Sequence, residues 1–227
     1  MRIFHLSDTH GLHNDLILPE ADILIHSGDF TNHRDKFQNA GEFYLFIDWV
    51  EEVSKKFRHN VYIPGNHDTF VESSEKKTKQ AFLDAGAALL INESIEIEGI
   101  KIWGSPLTPT FNDWAYNRDR GKIGKTWAKI PDNTQILVTH GPCKGILDLS
   151  ENPWRELEQT GCSALASRIE DLKDLKFHLF GHIHDNPRYC KNQGVMIRNG
   201  VTYSNASCVT DNKFHLGPSS HGNLLEF

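Results

Sequence analysis

The sequence predicts an α/β fold with mixed β-sheets, and three observations carry that reading. Short apolar runs rich in β-branched and aromatic residues alternate with longer stretches of helical period. Two later pairs of such runs are joined by the tight-turn dipeptides Glu98-Gly99 and Asn199-Gly200. An early strand–helix–strand rhythm followed by hairpins places parallel and antiparallel pairing in one chain. At 227 residues, against a typical domain of roughly 150, residues 1–227 are read as a single domain.

Taken in order, Arg2–Leu6, 22–26, 61–63, Ile136–Thr139 and Phe177–Phe180 read as buried strands. Between the second and third, Phe43, Phe46, Ile47, Val50, Val53 and Phe57 share one face of a helix. Residues 74–85 and 163–175 carry weaker helical patterns. Residues 95–97 and 100–103 flank the Glu98-Gly99 turn, and 195–198 pairs with Val201–Asn205 around Asn199-Gly200. Segment 108–125 is polar but carries Phe111, Trp114, Tyr116, Arg118 and Arg120. A connection of that length leaves two readings open, a lid or substrate wall, or a surface crossover whose aromatics pack on the core.

Hydrophobic residues make 38% and charged residues 24% of the chain, a globular composition rather than a disordered one. The net charge of −6, from 24 Lys+Arg against 30 Asp+Glu, argues against a nucleic-acid partner held on a basic face. No apolar run approaches the roughly 20 residues that span a bilayer, so no membrane partner is expected. Met1-Arg2-Ile3-Phe4 opens directly as a strand without a leader pattern. Cys143, Cys162, Cys190 and Cys208 form no C-x-x-C pair and are read as reduced thiols, which points to a cytoplasmic protein. The 13 histidines are unusual, and histidine is the commonest metal ligand.

Each of the five apolar strands runs into metal-ligand residue types: Ser7-Asp8-Thr9-His10, Ser27-Gly28-Asp29, Gly65-Asn66-His67-Asp68, Thr139-His140-Gly141-Pro142 and Gly181-His182-Ile183-His184. Open α/β sheets bind ligands just beyond the carboxyl ends of their strands. Five such strands side by side would aim these groups into one crevice. In D-x-H and H-x-H, residues two apart on extended backbone share a face and can clamp one point. The candidate ligands are Asp8, His10, Asp29, Asn66, His140, His182 and His184. Carboxylate, imidazole and amide without thiolate suit Mn²⁺, Fe or Zn²⁺. The set is too large for one tetrahedral ion, and two ions sharing a carboxylate fit better.

The ordered series D-x-H, G-D, G-N-H-D, H-G and G-H-x-H resembles the calcineurin-like metallophosphoesterase superfamily. Residues 22–31, 102–106, 137–142 and 203–208 further resemble its metallophosphoesterase-domain-containing branch, first described in mammalian fetal brain. The resemblance implies two mixed β-sheets packed as a sandwich flanked by helices, a four-layer fold. It implies a first metal held by Asp8, His10, Asp29 and His184, and a second by Asp29, Asn66, His140 and His182. It further implies hydrolysis of phosphoesters by attack of a metal-bound hydroxide, with His67 as proton donor to the leaving oxygen and Asp68 as the residue that orients it. The superfamily's G-D block often continues to a second aspartate, where this chain has Asn32, so a charged partner for His67 must come from elsewhere. Some members of the branch lose the first histidine of G-H-x-H, and this chain keeps His182. The substrate expected from the resemblance is a small phosphodiester, cyclic nucleotides included. The alternatives are a phosphomonoesterase or protein phosphatase, and a metal- and nucleotide-binding scaffold without turnover. A monomer or a homodimer fits equally.

The remaining histidines divide by context. His5, His26 and His178 lie in or at the ends of apolar strands and read as satisfied core residues, with His26 also placed to donate to a ligand carboxylate. His13 and His33 follow ligand motifs, where they either line the cleft or are solvated. His59, His215 and His221 read as surface. Cys143 directly follows His140-Gly141-Pro142, but a nucleophilic cysteine needs a base and an electropositive setting, and the metal-bound hydroxide the resemblance implies leaves it no such role, so it is read as structural.

Overall fold

The computed structural model describes residues 1–152, 154–186, 188, 190–211 and 217–227; His215 lies outside them. In chain order the first half gives β1 (Arg2–Leu6), β2 (Ile23–His26), α1 (Lys36–Ser54), β3 (His59–Tyr62), α2 (Thr69–Ser73), α3 (Glu75–Asp84), β4 (Ala88–Leu89), β5 (Glu93–Ile97) and β6 (Ile100–Ser105). The remainder gives β7 (Thr108–Pro109), β8 (Asn117–Arg118), α4 (Arg120–Trp127), β9 (Ile136–Thr139), β10 (Leu149–Glu151), β11 (Leu157–Gln159), α5 (Ser163–Asp171), β12 (Phe177–Phe180), β13 (Gly194–Arg198), β14 (Val201–Asn205) and β15 (Asn223–Glu226).

The strands form two large mixed sheets, ordered β15-β1-β2-β3-β4 and β13-β14-β12-β9-β6-β5. β1 to β4 run parallel, with β15 antiparallel at the edge. In the second sheet β6, β9, β12 and β14 run parallel between antiparallel edges β5 and β13.

Strand alternation explains how the sheets stack. Ile3, Ile23, Ile25 and Val61 of the first sheet meet Ile102, Ile136, Val138 and Leu179 of the second in one buried cluster between them. The opposite residues of the first sheet, Phe4, Leu6, Leu24 and Tyr62, pack on Phe43, Phe46, Val50 and Val53 of α1 and Phe82 of α3. The outer face of the second sheet, with Trp103, Leu137, Phe180 and Tyr203, packs on Ile123 and Trp127 of α4 and Leu165 and Ile169 of α5. The expected four-layer α/β sandwich is the architecture observed.

Several elements differ from the sequence reading. The helical stretch 74–85 is preceded by a short helix of its own, so that α2 and α3 meet at Ser74. On α1 the buried face takes in Trp49, while Ile47 is only partly buried. Segment 108–125 is not an open loop, since β7 and β8 pair within it and α4 begins at Arg120. Strand β15 had no signal of its own, because its exposed alternate residues leave only Leu225 buried.

Candidate metal centre

The five motif-bearing strands are not side by side. β1, β2 and β3 belong to one sheet, β9 and β12 to the other. Both sheets nevertheless present carboxyl ends to the same crevice, where the first residue past β1 joins the second sheet. Ser7 bridges Ser207, with Ser7 N–H donating to Ala206 O at 3.1 Å and Cys208 N–H to Ser7 O at 2.9 Å. A sandwich contributes loops from the edges of two sheets, so one crevice gathers more ligands than a single sheet would give it.

The loop backbones are bent to aim side chains inward. Asp8, His10, Asp29 and His182 all have positive φ, at 52°, 42°, 58° and 68°. Such backbone is costly for L-residues and persists where surrounding structure enforces it. Two glycines permit the close approach. A Cβ on Gly181 would lie 2.0 Å from Asp8 Oδ2, and one on Gly65 would lie 2.3 Å from Asp29 Oδ1.

Each carboxylate divides its oxygens between scaffold and site. Asp8 Oδ2 accepts the His182 N–H at 2.9 Å, and Oδ1 faces His184 Nε2 at 3.1 Å. Asp29 Oδ1 accepts the His67 N–H at 2.7 Å, while Oδ2 lies 3.3 Å from His140 Nε2 and 3.8 Å from His10 Nε2. The histidines are oriented by the other ring nitrogen. His10 Nδ1 donates to Thr31 O at 3.2 Å and His140 Nδ1 to Ser27 O at 2.8 Å. That pattern fixes the tautomer and directs Nε2 at the centre, as metal-ligating histidines require. Asn66 Oδ1 stands 2.9 Å from His140 Nε2.

Three groups bring donor atoms within 4.8 Å of one another: Asp8, His10 and His184; Asp29, His140 and His182; and His10, Asp29 and His67. The first two are drawn wholly from the expected ligands, and Asn66 Oδ1 stands beside His140 of the second. The third shows His67 within reach of the centre as well.

Electrostatics fit a cation pair. Burial alone would raise the Asp8 carboxyl, yet the hydrogen bond and charge of His184 hold it well below the usual carboxylate range. Asp29 is likewise held low, against burial, chiefly by His140. The same pairings overcome burial to lift His140 to about 9 and His184 to about 10, the latter through Asp211 as well as Asp8. His10 and His182 fall to about 3 through burial. Two buried anions thus demand positive charge. Divalent ions would supply it, on donors that are neutral or anionic when they ligate. The residues fit the group.

Asp68 does not orient His67 through its side chain. Its fully buried carboxylate accepts from Asp29 N–H at 2.9 Å, Gly65 N–H at 2.6 Å, Thr31 N–H at 3.0 Å and the Thr31 hydroxyl at 2.7 Å. Burial and then the Asp29 charge push it up to about 7. It braces the two ligand loops against each other. The partner of His67 is a backbone group, the Asn32 carbonyl, which accepts from Nδ1 at 3.0 Å. Loss of the second aspartate at position 32 therefore leaves this bond intact.

His26 bonds no carboxylate. Its Nδ1 accepts from Gly28 N–H at 3.2 Å, so Nε2 carries the proton and meets Thr9 Oγ1 at 3.1 Å, tying together the first two ligand loops. His5 bridges the sheets, 2.8 Å from Ser204 Oγ and 2.9 Å from Ser27 Oγ. His13 is buried against Phe46 and Trp49 rather than lining the centre. The Cys143 thiol is pushed up to about 12 by burial and then Asp148, consistent with a structural role.

Segment 108–125 packs on both the core and the centre. Ala115 and Tyr116 enter the core, whereas Phe111 packs on His182 at 5.0 Å and Trp114 covers His67 at 4.2 Å between ring centroids. It forms a wall along the centre. Beside His182 it borders a cleft of about 530 Å³ lined also by Arg120, Pro142, Glu151 and Glu158.

A two-sheet sandwich with paired donor groups at its strand ends is a framework for a dinuclear metal centre. The sequence profile of the calcineurin-like phosphoesterases matches residues 1–186, and the chain belongs to that family, whose members hydrolyse phosphoric esters. The human and mouse metallophosphoesterase domain-containing protein 1 are each 30% identical over 96% of this chain and 69% of their own length. The UPF0046 protein C25E10.12 of Caenorhabditis elegans is 31% identical over 91% of this chain and 75% of its own. Among solved structures, TT1561 of Thermus thermophilus shares the fold, with a TM-score of 0.60 at 12% identity, covering 91% of this chain and 90% of that one. Among the described residues no helix is long and apolar enough to cross a membrane.

Proposed function

We propose that the chain is a dinuclear metal-dependent phosphodiesterase acting on a small phosphodiester, with cyclic nucleotides within that class, in the cytoplasm. The observation that carries the reading is Asp29, whose Oδ2 faces both His10 of one donor group and His140 of the other. Asp8, His10 and His184 would hold one ion, and Asn66, His140 and His182 the second, with Asp29 common to both. Mn²⁺ suits this donor set, and Fe or Zn²⁺ also does. When bound, such a pair supplies Lewis-acid polarisation of the phosphoryl group and an activated water.

The chain's own residues supply orientation and the proton. With Nδ1 committed to Asn32 O, His67 presents Nε2 towards the centre and, when protonated, donates to the leaving oxygen. A diester is favoured by the way nearby cations are employed. Arg120 donates to Thr160 O at 2.8 Å and Gly161 O at 3.1 Å. Arg34 donates to Asp113 O and lies 4.1 Å from the Trp114 ring. Both are turned to protein groups, and Glu151 and Glu158 border the cleft. A singly charged diester suits that wall better than a dianionic monoester.

The test is hydrolysis of bis-p-nitrophenyl phosphate beside p-nitrophenyl phosphate, on chelator-stripped protein resupplied with Mn²⁺. Metal-dependent cleavage with the diester preferred is the expected result. Preference for the monoester would overturn the diesterase assignment, and no cleavage of either with two ions bound would favour a non-catalytic scaffold.

A further inference from the structure

We propose that Asn39 is a positioning residue for His67, acting through the carbonyls that its buried amide holds; the proposal rests on the role given to His67 above. Asn39 lies in the first turns of α1, one turn before Phe43, on the face that packs against the first sheet, and is fully buried. An amide in that setting is costly unless its polar atoms are paired. Asn39 pairs all of them across three segments. Its Nδ2 lies 2.7 Å from His33 O, 2.9 Å from His67 O and 3.0 Å from Thr31 Oγ1. Its Oδ1 accepts the Phe70 N–H at 2.9 Å, at the start of α2.

Glu42 follows three residues later on the same helix. Its Oε2 accepts Asn32 N–H at 2.8 Å and His33 N–H at 2.9 Å, and Oε1 meets His33 Nδ1 at 2.5 Å. The Asn32 carbonyl is the acceptor for His67 Nδ1. Both ends of the His67–Asn32 bond therefore hang from one turn of α1: Asn39 holds the His67 backbone, and Asn39 with Glu42 holds the peptides on either side of the Asn32 carbonyl. The consequence is chemical. A fixed acceptor keeps the proton of the neutral ring on Nδ1, so Nε2 is the nitrogen offered to substrate. Release of either anchor frees the ring to exchange tautomers and lose its aim.

Neither residue belongs to the donor groups of the centre, so the test separates aim from general loss of structure. The variants are Asn39→Ala and Glu42→Ala, the second on a partly exposed side chain so that the proposal remains testable if the first fails to fold. On Mn²⁺-loaded protein, kcat is measured for aryl phosphodiesters whose leaving groups range from p-nitrophenol to phenol, with His67→Ala as reference. The expected pattern is a loss of roughly 10- to 100-fold for phenol and under about 3-fold for p-nitrophenol, with KM and metal content unchanged, as for a weakened general acid. Equal losses across the series would overturn the proposal in favour of a structural role. Imidazole ¹⁵N NMR of the metal-free protein reads the aim without turnover. His67 is expected in the Nδ1–H tautomer in the unaltered chain and as a mixture in the variants. An unchanged tautomer in the variants overturns the positioning role even if no diester is cleaved, whereas absent turnover with the expected tautomer shift counts against the proposed function alone.

Discussion

Asp68 accepts the backbone N–H of Asp29 at 2.9 Å, so one aspartate holds the loop that aims the other into the metal centre. All four groups bonded to the Asp68 carboxylate are donors, two N–H on Oδ2 and the Thr31 N–H and hydroxyl on Oδ1. Asp68→Asn must set an NH₂ against at least one buried N–H. The expected cost is about 1–3 kcal/mol for the group left unpaired, read as a lower midpoint in urea unfolding, together with weaker metal binding. An unaltered midpoint would show that the brace carries no stability.

Gly181→Ala tests the close approach. A Cβ there would meet Asp8 Oδ2 and Ser7 Oγ at 2.0 Å each. Asp8 must move, and the first donor group loses its geometry. Titration with Mn²⁺ should show at least one site weakened by an order of magnitude or more, on the scale seen when residues supporting a metal ligand are altered. Wild-type affinity at both sites would contradict the assignment of Asp8.

Trp114, in the segment between β6 and α4, covers His67. Trp114→Ala removes that contact while leaving the ligands in place. An aromatic pair contributes about 0.5–1.5 kcal/mol, so kcat/KM for bis-p-nitrophenyl phosphate should fall roughly 2- to 12-fold with metal content unchanged. No change on a bulky diester would mean that the wall does not contact substrate.

His178 gives the metal-free fold a pH dependence. Burial pushes its imidazole down to about 3, and it sits 2.8 Å from Thr139 Oγ1. Between that value and the ordinary value near 6.5, the unfolded chain holds a proton that the folded chain refuses. Stability is therefore lost as pH falls from about 6.5 towards 3. His178→Gln should make that decline shallower by up to one proton, about 1.4 kcal/mol per pH unit, in denaturant midpoints taken from pH 7 to 4. An identical slope would show that His178 is not held neutral.

The ligand motifs were legible because each follows a short buried strand, and the stops at Gly28, Gly65 and Gly181 mark where backbone turns into the site. The β-hairpin at Asn199-Gly200 was legible for the same local reason. What escaped was tertiary. The division of the five strands between two sheets depends on which faces pair, and alternation alone does not reveal that. The Asp68 brace joins residues as far apart as Thr31 and Asp68, with no spacing rule to announce it. Asn39 left one local signal, an amide one turn before Phe43 on an otherwise apolar face. That signal identifies a buried polar group but not its partners.

Anomalous scattering from crystals of Mn²⁺-loaded protein would show whether Asp29 joins two metal sites. Two peaks are expected, one among Asp8, His10 and His184 and one among Asn66, His140 and His182, with the Asp29 carboxylate bound to both. A single peak, or two peaks that leave Asp29 unbound, would contradict it.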